Sequence, residues 1–342
     1  MRAVRLHAVG ERPTVDELPV PARAKGQALI RVGAAGLCGS DAHIVTGRTP
    51  LPAYPRVLGH EVAGTVESAD EDSSFRPGDR VAVNFLVTCG SCRYCSAGRS
   101  SLCLHREGLG VVHDGGFAEY LVAPEANLVP VPAAVPFRHA ALATDAFATP
   151  LHAISARAGV GPDAVCAVIG AGGLGLAAVQ LLRARAAKSI LAVDVSPLAL
   201  ELAGTAGATE TRTFDDAAAL AAGGGPAELG ADFVFDFVGS PETTRLGIEL
   251  LGRGGKLVVV GHSGESWRTL PGSSMVRDEK AVIGSYSFDN SEIREALNFM
   301  GRGLLDPETL IGRTTDLDGA AGALAPSAPR TPGRTVVVPS PE

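Results

Sequence analysis

Apolar and polar residues alternate with a period of two at several places in the first half of the chain, which predicts short strands. Met1-Arg2-Ala3-Val4-Arg5-Leu6-His7, Ala28-Leu29-Ile30-Arg31-Val32, Val62-Ala63-Gly64-Thr65-Val66-Glu67 and, after the turn Pro77-Gly78-Asp79, Arg80-Val81-Ala82-Val83 all follow it. Residues 1–147 are therefore expected to form an all-β lobe with long loops. From Ala148 to Ser285 the rhythm changes, and strands alternate with helical stretches. The strands are Val165-Cys166-Ala167-Val168-Ile169, Ile190-Leu191-Ala192-Val193, Phe233-Val234-Phe235-Asp236 and Leu257-Val258-Val259-Val260. That order predicts a doubly wound α/β unit with a parallel sheet over residues 148–285. Residues 286–342 hold one amphipathic helix, about Ser291 to Met300, and a strand-like Thr335-Val336-Val337-Val338. This segment is too short to be a domain and is expected to rejoin the first lobe. Ala321 to Pro332, rich in Ala and Pro, is the expected mobile loop, and there is no repeat of fixed period.

Composition agrees with two domains: 342 residues, 46% of them hydrophobic, can bury large cores. The 42 glycines and 23 prolines fall between β-branched runs and so mark turns, not disorder. A net charge of −7 and a pI near 5.7, without a dense Lys/Arg cluster, argue against a nucleic-acid partner. The apolar stretch Ala164 to Leu182 has the length of a membrane span. Its glycines at 170, 172, 173 and 175 instead predict a buried strand, turn and helix, so no membrane is expected. The N-terminus lacks the apolar centre of a signal peptide, which points to a cytoplasmic protein. In that reducing compartment the six cysteines are not expected to form a disulfide framework.

Four of those cysteines, Cys89, Cys92, Cys95 and Cys103, follow the pattern C-x2-C-x2-C-x7-C. Thiolates so spaced suit a closed tetrahedral zinc site that staples a loop with little apolar content of its own. An iron–sulfur cluster is the chemical rival, and four free thiols are the plain alternative. The remaining pair are Cys38 and Cys166, the latter inside an apolar strand and read as a small buried residue.

The first strand of the α/β region runs straight into Gly170-Ala171-Gly172-Gly173-Leu174-Gly175, a G-x-G-x-x-G turn that opens a helix. Gly170, Gly172, Gly173, Leu174 and Gly175 would let the backbone approach a pyrophosphate at a helix N-terminus, where free N–H groups and the dipole favour an anion. The second strand ends in Asp194, near the expected distance of about 20 residues beyond the glycines. Its carboxylate can accept from the adenosine ribose hydroxyls and would repel a 2′-phosphate. With no arginine among Val195, Ser196, Pro197 and Leu198, NAD is expected over NADP.

Cys38 lies in Gly36-Leu37-Cys38-Gly39-Ser40-Asp41-Ala42-His43, and His60 in Leu58-Gly59-His60-Glu61-Val62-Ala63-Gly64. Alone, each is as readily a core or surface residue as a ligand. Together with the quartet and the nucleotide turn, these stretches resemble the zinc-dependent medium-chain dehydrogenase/reductase (alcohol dehydrogenase) family over essentially the whole chain. The resemblance implies a GroES-like all-β catalytic domain plus a Rossmann domain. It implies two zinc ions per chain, one structural and one catalytic, the latter held by Cys38, His60 and a third ligand before the nucleotide domain. Here that third position is Asp145, in Leu142-Ala143-Thr144-Asp145-Ala146-Phe147-Ala148-Thr149-Pro150; the animal liver-type enzymes have Cys, and bacterial secondary-alcohol members are closer.

The resemblance further implies hydride transfer between an alcohol and NAD, with Ser40 and His43 forming a proton relay and Glu61 behind the metal as a transient ligand. Asp41 would orient the His60 ring. Phe85 matches a substrate-pocket position but suits the core equally, and Thr149 would contact nicotinamide or cap a helix. The turns Val238-Gly239-Ser240 and Val260-Gly261-His262 would lie near the ribose and nicotinamide, with His262 lining the cleft. The expected substrate is a small alcohol or ketone, preferably a secondary alcohol or polyol, and the assembly a homodimer or homotetramer. Two rivals stand beside this reading. One is a zinc-free quinone or enoyl reductase of the same superfamily, and the other a non-catalytic NAD-binding protein.

Overall fold

Gln27–Leu37 forms a strand because its apolar positions alternate. Ala28, Ile30, Val32 and Ala34 are buried, while Arg31 is exposed. It is the centre of a seven-stranded sheet and pairs antiparallel with Glu61–Ser68, Tyr120–Pro124 and Arg334–Val337. The pair Ile311–Thr315 and Arg334–Val337 is parallel. Arg2–Leu6, Thr14–Glu17 and Arg56–Val57 make a smaller sheet. Ile30, Val62, Val83, Phe117 and Leu121 belong to the core of this unit.

The computed structural model describes residues 1–222, 230–266, 272–328 and 333–340. The chain divides into two compact units. One comprises Met1–Ala148, Phe288–Gly303 and Ile311–Glu342, and the other Thr149–Ser287 with Leu304–Leu310.

The first unit is less purely β than its alternation suggests. Gly39–Val45 is a helix, and so is Phe137–Leu142, where Pro136 precedes an alanine-rich run that favours helix over strand. Asn290–Gly301 is the expected amphipathic helix. Ile293, Ala296, Leu297 and Met300 are buried at helical spacing, and Asp289 with Glu292 forms a capping box at its start. The expected mobile loop is corrected in its first part: Ala321 lies in the helix Leu317–Ala323, whose Leu317, Ala320 and Ala321 are buried. Its last part, residues 329–332, lies outside the described residues.

In the second unit six parallel strands stand in the order 3-2-1-4-5-6, numbered along the chain within the unit. They are Val165–Ile169, Ser189–Asp194, Glu210–Thr213, Ala231–Asp236, Leu251–Val259 and Ala281–Gly284. This is the doubly wound order of a dinucleotide-binding sheet, with its reversal between strands 1 and 4. The apolar stretch after Ala164 is strand 1, a glycine turn and the helix Gly173–Ala184. No described helix is long and apolar enough to cross a membrane. Gln180 on that helix donates to the Asp306 carbonyl at 2.9 Å and accepts from the Asp306 N–H at 2.8 Å, which ties Leu304–Leu310 to this unit.

Candidate functional site

Strand register builds the buried site in the first unit. Gly36 faces Glu61 across an antiparallel pair, so Cys38 and His60 emerge just beyond it, side by side. On the other flank Leu37 faces Thr335, and one more step of that register brings Arg334 opposite Cys38. Gly36 leaves room for a carboxylate, since a Cβ there would meet Glu61 Oε2 at 2.0 Å. Asp145 arrives from the π-helical turn Ala143–Phe147, all of whose residues are buried. Such a turn adds one residue to the helical repeat and re-aims its side chains.

The donor atoms of Cys38, His60, Glu61 and Asp145 all lie within 4.8 Å of one another, and all four residues are buried. Cys38 Sγ is 3.4 Å from Asp145 Oδ2, and His60 Nε2 is 3.9 Å from the same oxygen. Tetrahedral zinc with bonds of about 2.0–2.3 Å needs ligand separations of roughly 3.3–3.8 Å. The set therefore fits one zinc ion. Asp41 accepts from the Cys38 N–H at 2.9 Å, and its other oxygen lies 3.2 Å from His60 Nδ1. With the Nδ1–H donating to the Asp41 carboxylate, Nε2 faces Cys38 and Asp145.

Electrostatics favour a cation here. Burial pushes Glu61 well above the usual carboxylate range, although Arg334 opposes it. Neither Glu61 oxygen has a hydrogen-bond partner among the described residues, and Arg334 Nη2 approaches Oε1 at 3.2 Å and Asp145 Oδ2 at 3.4 Å. Burial also works against ionising Cys38, yet its thiol is lowered, chiefly by Arg334 and then by His60. Burial works against a charged His60 too, but Asp41 and Asp145 hold the ring protonated well above its ordinary value. A divalent cation held by these donors would take the place of that proton.

Ser40 and His43 share the helix Gly39–Val45 and, three residues apart, one of its faces. Ser40 Oγ is 3.3 Å from His60 Nε2, and His43 is half-buried. Phe85 meets the His60 ring edge-on at 5.3 Å and the buried Phe288 at 5.7 Å. It packs against the core of the first unit beside His60.

The cysteine quartet gathers on the loop framed by the paired strands Leu86–Val87 and Glu107–Gly108. Cys92 and Cys95 sulfurs are 3.6 Å apart, those of Cys89 and Cys103 3.5 Å, and all four lie within 4.8 Å of one another. One tetrahedral zinc with bonds of about 2.3 Å would hold its sulfurs roughly 3.8 Å apart. A multi-iron cluster spreads its thiolates over several irons and wants a wider cradle, so the spacing favours zinc. N–H groups of Cys95 and Leu104 lower the Cys92 thiol to about 6, whereas burial and the neighbouring thiols push Cys95 up to about 11.

In the second unit the G-x-G-x-x-G turn follows strand 1. Gly170 has φ of +88°, and a Cβ on Gly175 would meet the Gly170 carbonyl oxygen at 1.9 Å, so only glycine lets the helix start this close to the strand. Gly172 caps the helix, and Gly173, Leu174 and Gly175 are in its first turn. Asp194 closes strand 2 and accepts from the N–H of Ala171 at 2.7 Å and of Ser196 at 2.8 Å. The carboxylate thus also braces the glycine turn. Burial raises the Cys166 thiol to about 12, in keeping with an inert core residue. Thr149 lies inside the helical residues Ala148–His152 and does not cap them. His262 is exposed after strand 5.

Two buried charges had no assigned role in the sequence. Arg334 begins a strand and joins Glu61 and Asp145 only through long-range register. Asp236 was visible as the polar end of an apolar strand, but not as an acceptor for a whole turn.

Comparison with known proteins matches this arrangement. Residues 24–133 match the alcohol dehydrogenase GroES-like domain, and residues 173–302 the zinc-binding dehydrogenase domain. Sorbitol dehydrogenase of Bacillus subtilis is 31% identical over 336 residues, covering 95% of this chain and 92% of that protein. The NAD-dependent alcohol dehydrogenase of Sulfurisphaera tokodaii is 32% identical over 340 residues, 95% of each. A zinc-binding dehydrogenase target from Sinorhizobium meliloti, solved with NADP bound, superposes with a TM-score of 0.90 at 30% identity over 99% of each chain. With its two cysteine-bearing clusters, its glycine turn and these full-length similarities, the chain belongs to the zinc-dependent medium-chain dehydrogenase/reductase (alcohol dehydrogenase) family.

Proposed function

We propose that the protein is an NAD-linked zinc dehydrogenase that interconverts a small secondary alcohol or polyol and its ketone. The observation that carries this reading is the convergence of Cys38, His60 and Asp145 within one buried cluster. Three ligands leave a fourth position on the ion, as a catalytic site requires. Zinc, when bound, supplies Lewis-acid polarisation of the substrate oxygen, and NAD accepts the hydride.

The chain's own residues do the rest. Asp41 fixes the His60 ring, and Arg334 balances Glu61 and Asp145. Glu61, beside the ligands and without a hydrogen-bond partner on either oxygen among the described residues, can exchange as a further ligand. Ser40 takes the alcohol proton and passes it toward His43 and solvent. Phe85 walls the site beside His60. Cys89, Cys92, Cys95 and Cys103 hold the structural zinc. Gly170, Gly172, Gly173, Leu174 and Gly175 receive the pyrophosphate, and Asp194 the adenosine ribose.

The sorbitol dehydrogenase relative supports a polyol, and Asp145 as third ligand supports a secondary alcohol. The NADP in the Sinorhizobium meliloti structure makes cofactor choice a point of test, and Asp194 favours NAD. Met1–Ala148 with the returning C-terminal segments forms the catalytic domain, and Thr149–Ser287 the core of the cofactor domain. The six free thiols accord with a cytoplasmic enzyme. Strand 6, Ala281–Gly284, pairs only with strand 5 among the described residues, and its open edge suits a homodimer or homotetramer.

The deciding experiment is zinc content of wild type and Cys38→Ser, with NADH and NADPH production over a panel of primary alcohols, secondary alcohols and polyols. The expected result is two zinc ions in wild type, one in the variant, and NADH production by wild type alone. One zinc in both proteins would remove the catalytic metal and leave a zinc-independent reductase or a binding protein.

A further inference from the structure

Asp236 is the last residue of strand 4 in the second unit and is fully buried. Its Oδ1 accepts the N–H groups of Val238 and Gly239, each at 2.9 Å. Oδ2 accepts the hydroxyls of Thr243 at 2.9 Å and Thr244 at 3.3 Å, from the first turns of the helix Pro241–Leu250. Its backbone carbonyl accepts from Val260 and Gly261, at 2.9 and 3.0 Å, in the turn after strand 5. One residue therefore organises the ends of two neighbouring strands.

Those turns are packed too closely to move separately. Gly239 has φ of +74°, and a Cβ on it would meet the Gly261 oxygen at 2.1 Å; a Cβ on Gly261 would meet the Val238 carbonyl carbon at 2.3 Å. Ser263 Oγ donates to the Gly239 oxygen at 2.9 Å. Val238 also reaches the glycine turn after strand 1, where a Cβ on Gly170 would meet Val238 Cγ2 at 2.8 Å. The three turns form one interlocked rim at the carboxyl ends of strands 1, 4 and 5.

In a doubly wound sheet the dinucleotide lies across the point where strand order reverses, one nucleotide to each half. Asp194, at the end of strand 2, assigns the adenosine to the half formed by strands 1 to 3. Strands 4 and 5 receive the other nucleotide. Building on the dehydrogenase reading above, we infer that Asp236 is a positioning residue for the nicotinamide half of the cofactor, acting through the Val238–Ser240 and Val260–His262 turns. It touches no reacting atom. Its carboxylate converts two backbone N–H groups and two hydroxyls into a fixed template.

Asp236→Asn is the informative change. The amide oxygen can still accept from Val238 and Gly239, but its NH2 must face hydroxyls that now donate. Thr243 Oγ1 already accepts from the Ser240 N–H at 3.0 Å, so reversing its bond to residue 236 loosens the turn. Binding of NAD+, ADP-ribose and 5′-AMP would be measured by titration calorimetry, alongside KM for NAD+, kcat and thermal midpoint. The expected result is NAD+ affinity lowered by about tenfold or more, ADP-ribose, which keeps the second ribose, lowered less, and 5′-AMP held within about twofold. Thr243→Val should show a smaller discrimination of the same sign and Thr244→Val the smallest, which keeps the test decisive if Asp236→Asn folds poorly. An equal fall for NAD+ and 5′-AMP, or no change in either, would overturn the assignment. If wild type bound neither ligand, the cofactor reading itself would fall, an outcome separate from any effect of the variants.

Discussion

Around Glu61 the acidic groups outnumber the basic ones. Cys38, Glu61, Asp145 and the neighbouring Asp41 can each carry one negative charge against one positive on Arg334, an excess that a divalent ion would largely offset. Arg334 and Glu61 are 6% and 0% exposed, and neither can be rescued by water if the other is removed. Arg334→Met should therefore lower kcat/KM by about 10–100-fold, in the range for partners that support metal ligands. It should also destabilise the zinc-loaded protein by about 3–5 kcal/mol in thermal or denaturant melts. Adding Glu61→Gln removes the stranded charge, and the double variant should recover part of that stability. Equal losses in single and double variants would show that Arg334 acts independently of Glu61. This scale was unevenly legible. Cys38, His60 and Asp41 were legible only through the family resemblance that their stretches carry together with the cysteine quartet and the nucleotide turn. Arg334 was not, because nothing near it in sequence reveals that Thr335 pairs with Leu37.

Elements whose apolar residues alternate were readable, since burial on one face writes itself into a period of two. Arg80–Val83 and Val165–Ile169 carry that signature or a continuous apolar run. Glu210–Thr213 does not. Its residues are Glu, Thr, Arg and Thr on the edge of the sheet, and only pairing with strand 2 makes it a strand. The π-helical turn bearing Asp145 was equally hidden, because one extra residue per turn leaves no pattern in composition. The cysteine loop depends on chemistry more than on pattern. Without metal its thiols should differ sharply: Cys92, lowered to about 6 by backbone N–H groups, is thiolate at neutral pH, while Cys95, near 11, stays protonated. A depressed thiol contributes stability above its unfolded value, and that contribution is lost as pH falls through about 6. Iodoacetamide at pH 7 should accordingly label Cys92 ahead of Cys95 in chelator-stripped protein, and neither in the zinc-loaded form, as read by peptide mapping. Equal labelling of these two would contradict the hydrogen-bond pattern.

At the scale of the whole chain, metal and nucleotide chemistry are segregated. All seven proposed zinc ligands, Cys38, His60, Asp145, Cys89, Cys92, Cys95 and Cys103, belong to the first unit, and Gly170 to Gly175 with Asp194 to the second. The two-part division was legible because the strand rhythm itself changes along the chain. The return of Leu304–Leu310 to the second unit was not, because it rests on the side chain of Gln180 meeting Asp306. This segregation makes chelation informative. The proposed catalytic set of Cys38, His60 and Asp145 would leave an ion open to a small chelator, whereas the four thiolates would enclose the other. Brief 1,10-phenanthroline treatment should therefore remove one zinc per chain and abolish turnover, and the second ion should leave only under prolonged chelation or thiol modification. Through both stages ADP-ribose binding should stay within about twofold, because its site is braced by Asp194 on Ala171 and by the close approach of Gly175 to Gly170, neither of which involves a metal. Loss of ADP-ribose binding together with the first zinc would mean that the nucleotide turn takes its order from the metal-bearing unit, and the two chemistries would have to be treated as one cooperative fold.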